Sequence, residues 1–397
     1  MSDIETSIDI SHIFGWNGNL TGIERVELNL IKYYFKNTEA NFIRWDTEQL
    51  CFIDVNRAEV ESKIIDRTNK AENSSDTPRD TIRKKIIKRI SHRVRQTQGN
   101  PTRGQIVVVL AGLWDSQDYI DGLTSLSGHN KLVHVVYDMI PLIHQGYVVD
   151  FLPVVFENYM LKILPLCTGI LAISKSTAID TRKILGDRSL PIPDIRTFRL
   201  GDDILEKSTT ATNRILDYEF ILCVGTIEAR KNHQILYVLQ KKLISEGKKP
   251  TTIVFAGKRG WLTTDLQYMI EHDKSLKDSI VILDNTTDNE LEWLYENCLY
   301  TVTPSYYEGW GLPICESLKY GKVTLSSNIS SMPEAGGDYA DYFSPYSIDE
   351  LSLLIEKYSK ESERKKREKK IKDSYKLYSW ADSSKVFSEK IKLIIGS

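Results

Sequence analysis

The stretch of this sequence richest in chemistry is Pro304–Ser317, which reads Pro-Ser-Tyr-Tyr-Glu-Gly-Trp-Gly-Leu-Pro-Ile-Cys-Glu-Ser. Gly309 and Gly311 flank Trp310, and Pro313 stands where a first helical turn tolerates proline. A strand ending at Thr303 and a helix opening past Gly311 would present backbone amides between Glu308 and Leu312 to an anion such as a diphosphate. Glu308 and Glu316 bracket this turn. Carboxylates repel an anion but accept paired hydrogen bonds well, so they suit the vicinal hydroxyls of a sugar or ribose. Taken alone, Glu316 also reads as a residue complementing the dipole of a helix start.

A second constellation is Gly225-Thr226-Ile227-Glu228-Ala229-Arg230-Lys231-Asn232-His233. It follows an apolar run, Phe220–Val224, and so sets Arg230 and Lys231 at a strand-to-helix junction, on the edge of a sheet where ligands of such folds bind. Cations there neutralise phosphate charge, above all that of a departing diphosphate. Nearer the N-terminus, Gly18 and Gly22 flank Asn19-Leu20-Thr21, a loop able to approach a phosphate or an acceptor. Tyr137-Asp138 ends another apolar strand, with His144 and Tyr147 on the adjoining loop. Asp138 is the candidate for orienting a reacting sugar or an acceptor hydroxyl, and it reads equally well as a turn cap.

These groups must be held by alternating strands and helices. Strands are expected at Ser7–Ile13, Phe42–Asp46, Ile106–Ala111, Lys131–Tyr137, Gly169–Ser174 and Ile195–Leu200, with helices at Gly22–Lys36, Asp150–Leu164 and Lys175–Leu185. The polar stretch Gly201–Asn213 reads as an interdomain linker. A second series follows, with strands at Phe220–Thr226, Thr252–Ala256, Ile280–Leu283, Tyr300–Thr303 and Val323–Ser326 and helices between them. The pattern predicts an α/β protein with two Rossmann-like domains, residues 1–205 and 206–379. Residues 380–397, opening at Trp380, form a helix expected to cross back to the first domain. Glu361–Asp373, with seven basic and four acidic residues, reads as a solvated helix.

Composition narrows the class. The chain has 397 residues, of which 41% are hydrophobic, enough for a sizeable core. Fifty-two Lys+Arg against 54 Asp+Glu leave a net charge of -2, so no general attraction to nucleic acid is expected. The five cysteines are scattered and form no Cys-x-x-Cys pair, which points to a reducing compartment and away from structural zinc. Met1–Ile10 shows no secretory pattern and the longest uncharged apolar run, Ile106–Trp114, is far too short to span a bilayer; a cytoplasmic location is expected. Net neutrality conceals Arg79–Arg95, which carries eight Lys/Arg and one acid. Its isoleucines fall on one face if the segment is helical, so it reads either as a basic helical insertion for an anionic membrane surface or as a solvated helix packed on its domain.

Together these segments resemble the family-4 retaining glycosyltransferases, and more narrowly a bacterial surface-polysaccharide, mannosyltransferase-like branch. The family's Glu-x7-Glu pattern is matched by Glu308–Glu316, and its sequel by Ser317–Ser326 and Met332-Pro-Glu-Ala-Gly-Gly-Asp338. Gly225–Asn232, Leu171-Ala-Ile-Ser-Lys-Ser176, Asp9-Ile-Ser and Thr21-Gly-Ile-Glu-Arg-Val26 match further pieces, while Asn56–Gln105 has no counterpart. The resemblance implies a GT-B fold and transfer of a hexose from a nucleotide-diphosphate sugar without a required metal or other cofactor. By it, Glu316 holds the ribose, Glu308 the donor sugar hydroxyls, and Lys231 with Arg230 the diphosphate. Amides of Gly309–Leu312 assist, and Gly22, Gly225 and Thr226 line the donor. Many members have an arginine where this chain has Thr226, and Arg230 is its expected substitute. GDP-mannose is the first expectation for the donor, dTDP-rhamnose the second, and the acceptor is a growing glycan on a lipid carrier. The competing readings are a noncatalytic glycan- or partner-binding subunit of the same fold and a nucleotide-sugar epimerase. A metal-dependent GT-A transferase is disfavoured, since no clear Asp-x-Asp stands at a strand end.

Overall fold

The structure is a computed structural model that describes residues 5–16, 18, 20, 22–72, 105–203, 215–276 and 278–396. The basic segment Arg79–Arg95, Thr21, and most of the expected linker, residues 204–213, lie outside the described residues. Two sheets organise the chain. The first contains β1 (Thr6–Asp9), β2 (Asn41–Asp46), β3 (Cys51–Val55), β4 (Ile106–Val109), β5 (Lys131–Val136), β6 (Gly169–Ala172) and β7 (Asp194–Thr197), in the order β3-β2-β1-β4-β5-β6-β7. Only its edge strand β3 runs antiparallel to its neighbour. The second contains β8 (Phe220–Val224), β9 (Thr252–Ala256), β10 (Ile280–Leu283), β11 (Thr301–Thr303), β12 (Thr324–Ser327) and β13 (Asp341–Phe343), ordered β10-β9-β8-β11-β12-β13 and parallel throughout.

The central strands are apolar because parallel sheets are covered on both faces. All four residues of β4, Ile106–Val109, are buried. Crossover helices bring each strand back in the same direction, so the loops that follow the strands collect on one edge of each sheet. In both sheets the strand order reverses next to the first strand, between β1 and β4 and between β8 and β11. At such a reversal two neighbouring loops diverge and leave a crevice, which is where open α/β sheets hold ligands. The loop after β8 carries Arg230 and Lys231, and the loop after β11 carries Glu308.

Three expectations need correction. The strand expected over Ser7–Ile13 stops at Asp9, and Ser11–Gly15 is a short helix. The cause is the Asp9 carboxylate, which accepts the Ser11 amide at 2.9 Å and turns the chain. Asp9 is fully buried and also accepts a hydrogen bond from Tyr119, so here it ties β1 to its surroundings. Cys51–Val55 forms an edge strand that stands among none of the expected elements, and Arg57–Glu72, inside the segment without family counterpart, forms a helix. Finally, Gly201–Asp203 are not free linker. The Asp202 carboxylate accepts from Arg199, from Tyr375 at 2.7 Å and from the Tyr378 amide at 2.9 Å, while Trp380 donates through its indole to the Asp203 carbonyl at 2.8 Å.

The last helix, Trp380–Gly396, lies on the first sheet. Phe387 packs edge-on against Phe198, with ring centroids 5.0 Å apart, and a Cβ on Gly169 of β6 would stand 2.4 Å from Ile394. One apolar core therefore runs from the first sheet through this helix to Trp310, Ile314, Cys315 and Met332 of the second domain. Among the described residues, no helix is long and apolar enough to cross a membrane.

Candidate active site

The site is built around Glu308. Its carboxylate is 7% exposed and accepts three side-chain hydrogen bonds: from Arg230 at 2.8 Å, from Lys231 at 2.6 Å and from the Ser305 hydroxyl at 2.6 Å. Local backbone chemistry fixes both cations. Asn232 adopts the left-handed conformation at φ 54° and ends the short turn Ala229–Lys231, and its side-chain amide donates to the carbonyls of Pro304 and Pro345. The Arg230 carbonyl accepts from the Tyr306 amide at 2.8 Å, and its guanidinium also reaches Glu228 and the Tyr307 carbonyl. The loops after β8 and β11 are thus stitched together, at the reversal point of the second sheet. Gly225, at φ +138°, leaves room beside it for the aliphatic stem of Lys231. Thr226 is half-buried and lies against Gly260 of the next loop.

Burial by itself would raise the Glu308 carboxyl, but the Arg230 and Lys231 charges and the hydrogen bonds from Lys231 and Ser305 overcome it and hold it down at about 2. Arg230 is likewise held charged against its burial by Glu308, Glu228 and Asp138. The sign of the resulting pH dependence is definite. A carboxylate depressed from 4.5 to about 2 lends stability that is complete above 4.5 and disappears as pH falls through the interval to 2. Glu308→Gln should therefore show a shallower decline of the urea midpoint between those pH values than the wild type. Parallel declines in the two proteins would contradict the ion-pair geometry.

Gly309 explains itself through the other domain. A Cβ there would lie 2.3 Å from the Tyr137 carbonyl oxygen and 3.2 Å from the Asp138 Cβ, so only glycine lets this loop touch the end of β5. Asp138, half-buried, accepts the Ile140 amide at 3.0 Å and faces Arg230, Glu308 and Glu228. Burial raises its carboxyl, the Arg230 charge opposes that, and the two glutamates add to it. It serves as a turn cap and lies at the cleft at the same time. Gly311, at φ +115°, is the residue before helix Leu312–Lys319 and supplies a backbone angle that side chains disfavour. Trp310 is buried in the shared core. The Glu308 amide donates to Ser330, so this part of the expected anion-binding backbone is already engaged. Gly22 opens helix Gly22–Asn37, and a Cβ on it would meet Leu312 at 3.9 Å. The N-termini of these two helices, one from each domain, therefore meet at the cleft.

Glu316 lies one turn further on, 8% exposed, accepting the Tyr295 hydroxyl at 2.7 Å. Burial raises its carboxyl, against the lowering effect of Arg25 and of the Tyr295 hydrogen bond. Arg25 is a site residue to which the sequence reading attached no role, although it stands inside the quoted Thr21–Val26. It forms an ion pair with Asp288 of the second domain and, with Asn29, Leu312, Glu316, Asp202 and Trp380, lines a narrow crevice between the domains. Glu334 was likewise quoted without a role. Its two carboxylate oxygens accept the Lys175 and Ser176 amides, both at 2.8 Å, so it caps a helix of the opposite domain. The two quoted segments Leu171–Ser176 and Met332–Asp338 are thus bonded to each other. Their sequence spacing of 158 positions hid the connection.

Residues 206–377 match the family model for glycosyl transferases group 1. The serotype-specific mannosyltransferase WbdA of Escherichia coli is 30% identical over 235 residues, covering 57% of this chain and 29% of that protein. The O-antigen chain mannosyltransferase B of Escherichia coli is 33% identical over 136 residues, covering 34% of this chain and 35% of that protein. The matches thus span only about a third of these curated relatives. Among solved structures, a sucrose-phosphate synthase from Thermosynechococcus elongatus aligns over 99% of both chains at 13% identity with a TM-score of 0.62. HepE of Anabaena, crystallised with UDP and glucose, aligns over 98% of this chain and 99% of that one at 11% identity, TM-score 0.59. Residues 206–377 are therefore a group 1 glycosyl transferase domain, carried in a two-domain α/β fold of the GT-B type.

Proposed function

We propose that this chain transfers a hexose, mannose before rhamnose, from a nucleotide-diphosphate sugar to a growing, lipid-linked bacterial surface polysaccharide, with retention at the anomeric carbon. The observation that carries the reading is the pair of cations, Arg230 and Lys231, held on Glu308 at the reversal point of the second sheet and facing Asp138 of the first domain. As the bond to the leaving diphosphate breaks, negative charge grows on its oxygens. Two fixed cations and the N-terminus of helix Leu312–Lys319 stabilise that charge with little reorganisation, because Glu308, Glu228 and Asn232 already hold them. Glu308 is ionised, so it accepts hydrogen bonds from donor-sugar hydroxyls, and Glu316 does the same for ribose. Asp138 orients the sugar or the acceptor hydroxyl. A diphosphate oxygen serves as the base, and no metal is required. The names of the Escherichia coli relatives support mannose and hence GDP-mannose.

A thermal-shift screen of GDP, dTDP, UDP and ADP is the direct test. The cognate nucleotide should raise Tm in proportion to RT ln(1 + [L]/Kd), by about 2.7 kcal/mol of stability at a hundredfold excess over Kd. No shift with any of them, together with no transfer from GDP-mannose or dTDP-rhamnose, would remove the reading. Conversion of the nucleotide sugar to its epimer without transfer would assign it to an epimerase instead. For the acceptor side, the eight basic residues of Arg79–Arg95 should hold the protein on vesicles containing anionic lipid, at about 1 kcal/mol per charge near the surface. Equal co-sedimentation with neutral and anionic vesicles would exclude that attachment.

A further inference from the structure

Outward from Glu308 the same loop carries Tyr306 and Tyr307, and here the domains meet through rings. Tyr147 of the first domain stacks on Tyr306 with centroids 5.3 Å apart and planes 5° from parallel. Tyr346, from the loop after β13, covers Tyr306 at 5.3 Å and 29°. Tyr307 lies 4.6 Å from the His144 ring and donates its hydroxyl to Asp180 at 2.6 Å. Trp261, from the loop after β9, donates its indole N–H to the Tyr147 carbonyl at 2.9 Å. Four loops from two domains thus fix an aromatic column whose inner end is bonded to the backbone carbonyl of Arg230 through the Tyr306 amide. Its outer end is open to solvent: Tyr346 is 74% exposed and Trp261 39%.

Leaving large rings in water forgoes the free energy of burying them, and a rigid uncharged aromatic surface beside a reaction centre suits a ligand with flat apolar faces and polar edges. A pyranose ring has this character: its axial C–H groups form an apolar face and its hydroxyls lie around the rim. We propose that Tyr346, backed by Tyr306, is a stacking platform for the neutral pyranose units of the acceptor chain behind the sugar that receives the transfer. The inference rests on the reading of the chain as a glycosyl transferase. It adds where the acceptor runs and which side chains sense its length. Fixed rings lose little conformational entropy on binding, so each stacked unit adds affinity while the reacting end stays at Asp138 and Glu308.

The test is calorimetric titration of the full chain with linear manno-oligosaccharides from mono- to tetrasaccharide, in parallel with GDP. In the wild type, affinity should grow about 10-fold from the monosaccharide to the tetrasaccharide, the scale of one good ring stack. Tyr346→Ala should abolish this growth, and Tyr346→Trp, which restores a ring, should recover it. GDP affinity should not change in either variant. Equal tetrasaccharide affinity in Tyr346→Ala and wild type, or no growth with length in the wild type, would overturn the platform. Loss of GDP affinity and of Tm together in Tyr346→Ala would overturn it in favour of a purely structural domain contact. Failure of the wild type to bind any nucleoside diphosphate would instead defeat the transferase reading on which the platform rests.

Discussion

Lys231→Ala is expected to lower kcat/KM by about 10²- to 10³-fold, the usual consequence of removing one fixed group that stabilises charge in a transition state. The ammonium lies 2.6 Å from Glu308 and is tethered within a turn whose left-handed Asn232 leaves it little freedom. In the proposed transfer the loss should fall mainly on kcat, because charge on the diphosphate would be greatest as the bond to the sugar breaks. Folding should survive, since Glu308 keeps Arg230 and Ser305 as partners. Glu308→Ala is expected to be as severe by another route: it removes the group proposed to accept from the sugar hydroxyls and frees both cations to take new positions. Steady-state kinetics with the donor found by the nucleotide screen, beside circular dichroism of each variant, is the check. Near wild-type rates in both proteins would mean that the diphosphate binds elsewhere.

Gly309→Ala adds only a methyl group but should act on both domains. The new carbon would stand 2.3 Å from the Tyr137 carbonyl oxygen, well inside van der Waals contact, with backbone on the far side that cannot rotate away. Relief requires the loop after β11 to retreat from the end of β5, separating Glu308 from Asp138. Overpacking of this kind costs about 1–3 kcal/mol, and a displacement near 1 Å of reacting groups costs about 10²-fold in rate. A lowered Tm and a lowered kcat are therefore expected together. Gly311→Ala makes a contrast: there the penalty arises from the +115° backbone angle and from Ile314 at 3.0 Å within the same domain. If Gly309→Ala retained full activity, the approach of the two domains seen here would not be the catalytic one.

Much of this site was legible along the chain. Arg230, Lys231, Glu308 and Glu316 were singled out by residue type beside strand ends, and the structure brings the first three into one hydrogen-bonded cluster. Thr252–Ala256 and Ile280–Leu283 emerged with their boundaries because short β-branched runs between turns leave one reading. Reading failed where side chains override periodicity. The apolar run from Ser7 looked like a single strand, and only the Asp9 carboxylate turning back on Ser11 converts its end into helix. Arg25 and Glu334 escaped for a different reason. A lone arginine or glutamate on a helix has no local signature, and the partners that give them meaning are 263 and 158 positions away.

The amino-acid order by itself determined the alternation of strand and helix, the two doubly wound sheets and the identity of the charged groups at their strand ends. These are consequences of short-range rules: apolar spacing selects the element, and glycine, proline and asparagine select the turn. The tertiary structure alone decided which strand ends face each other. Gly309 against Tyr137, Arg25 on Asp288, Glu334 capping Ser176 and Tyr147 stacked on Tyr306 all cross between the domains. Such pairs form when two preformed surfaces dock and bury a shared core around Trp310 and the helix from Trp380. That docking depends on the shapes of whole domains, which no local spacing encodes.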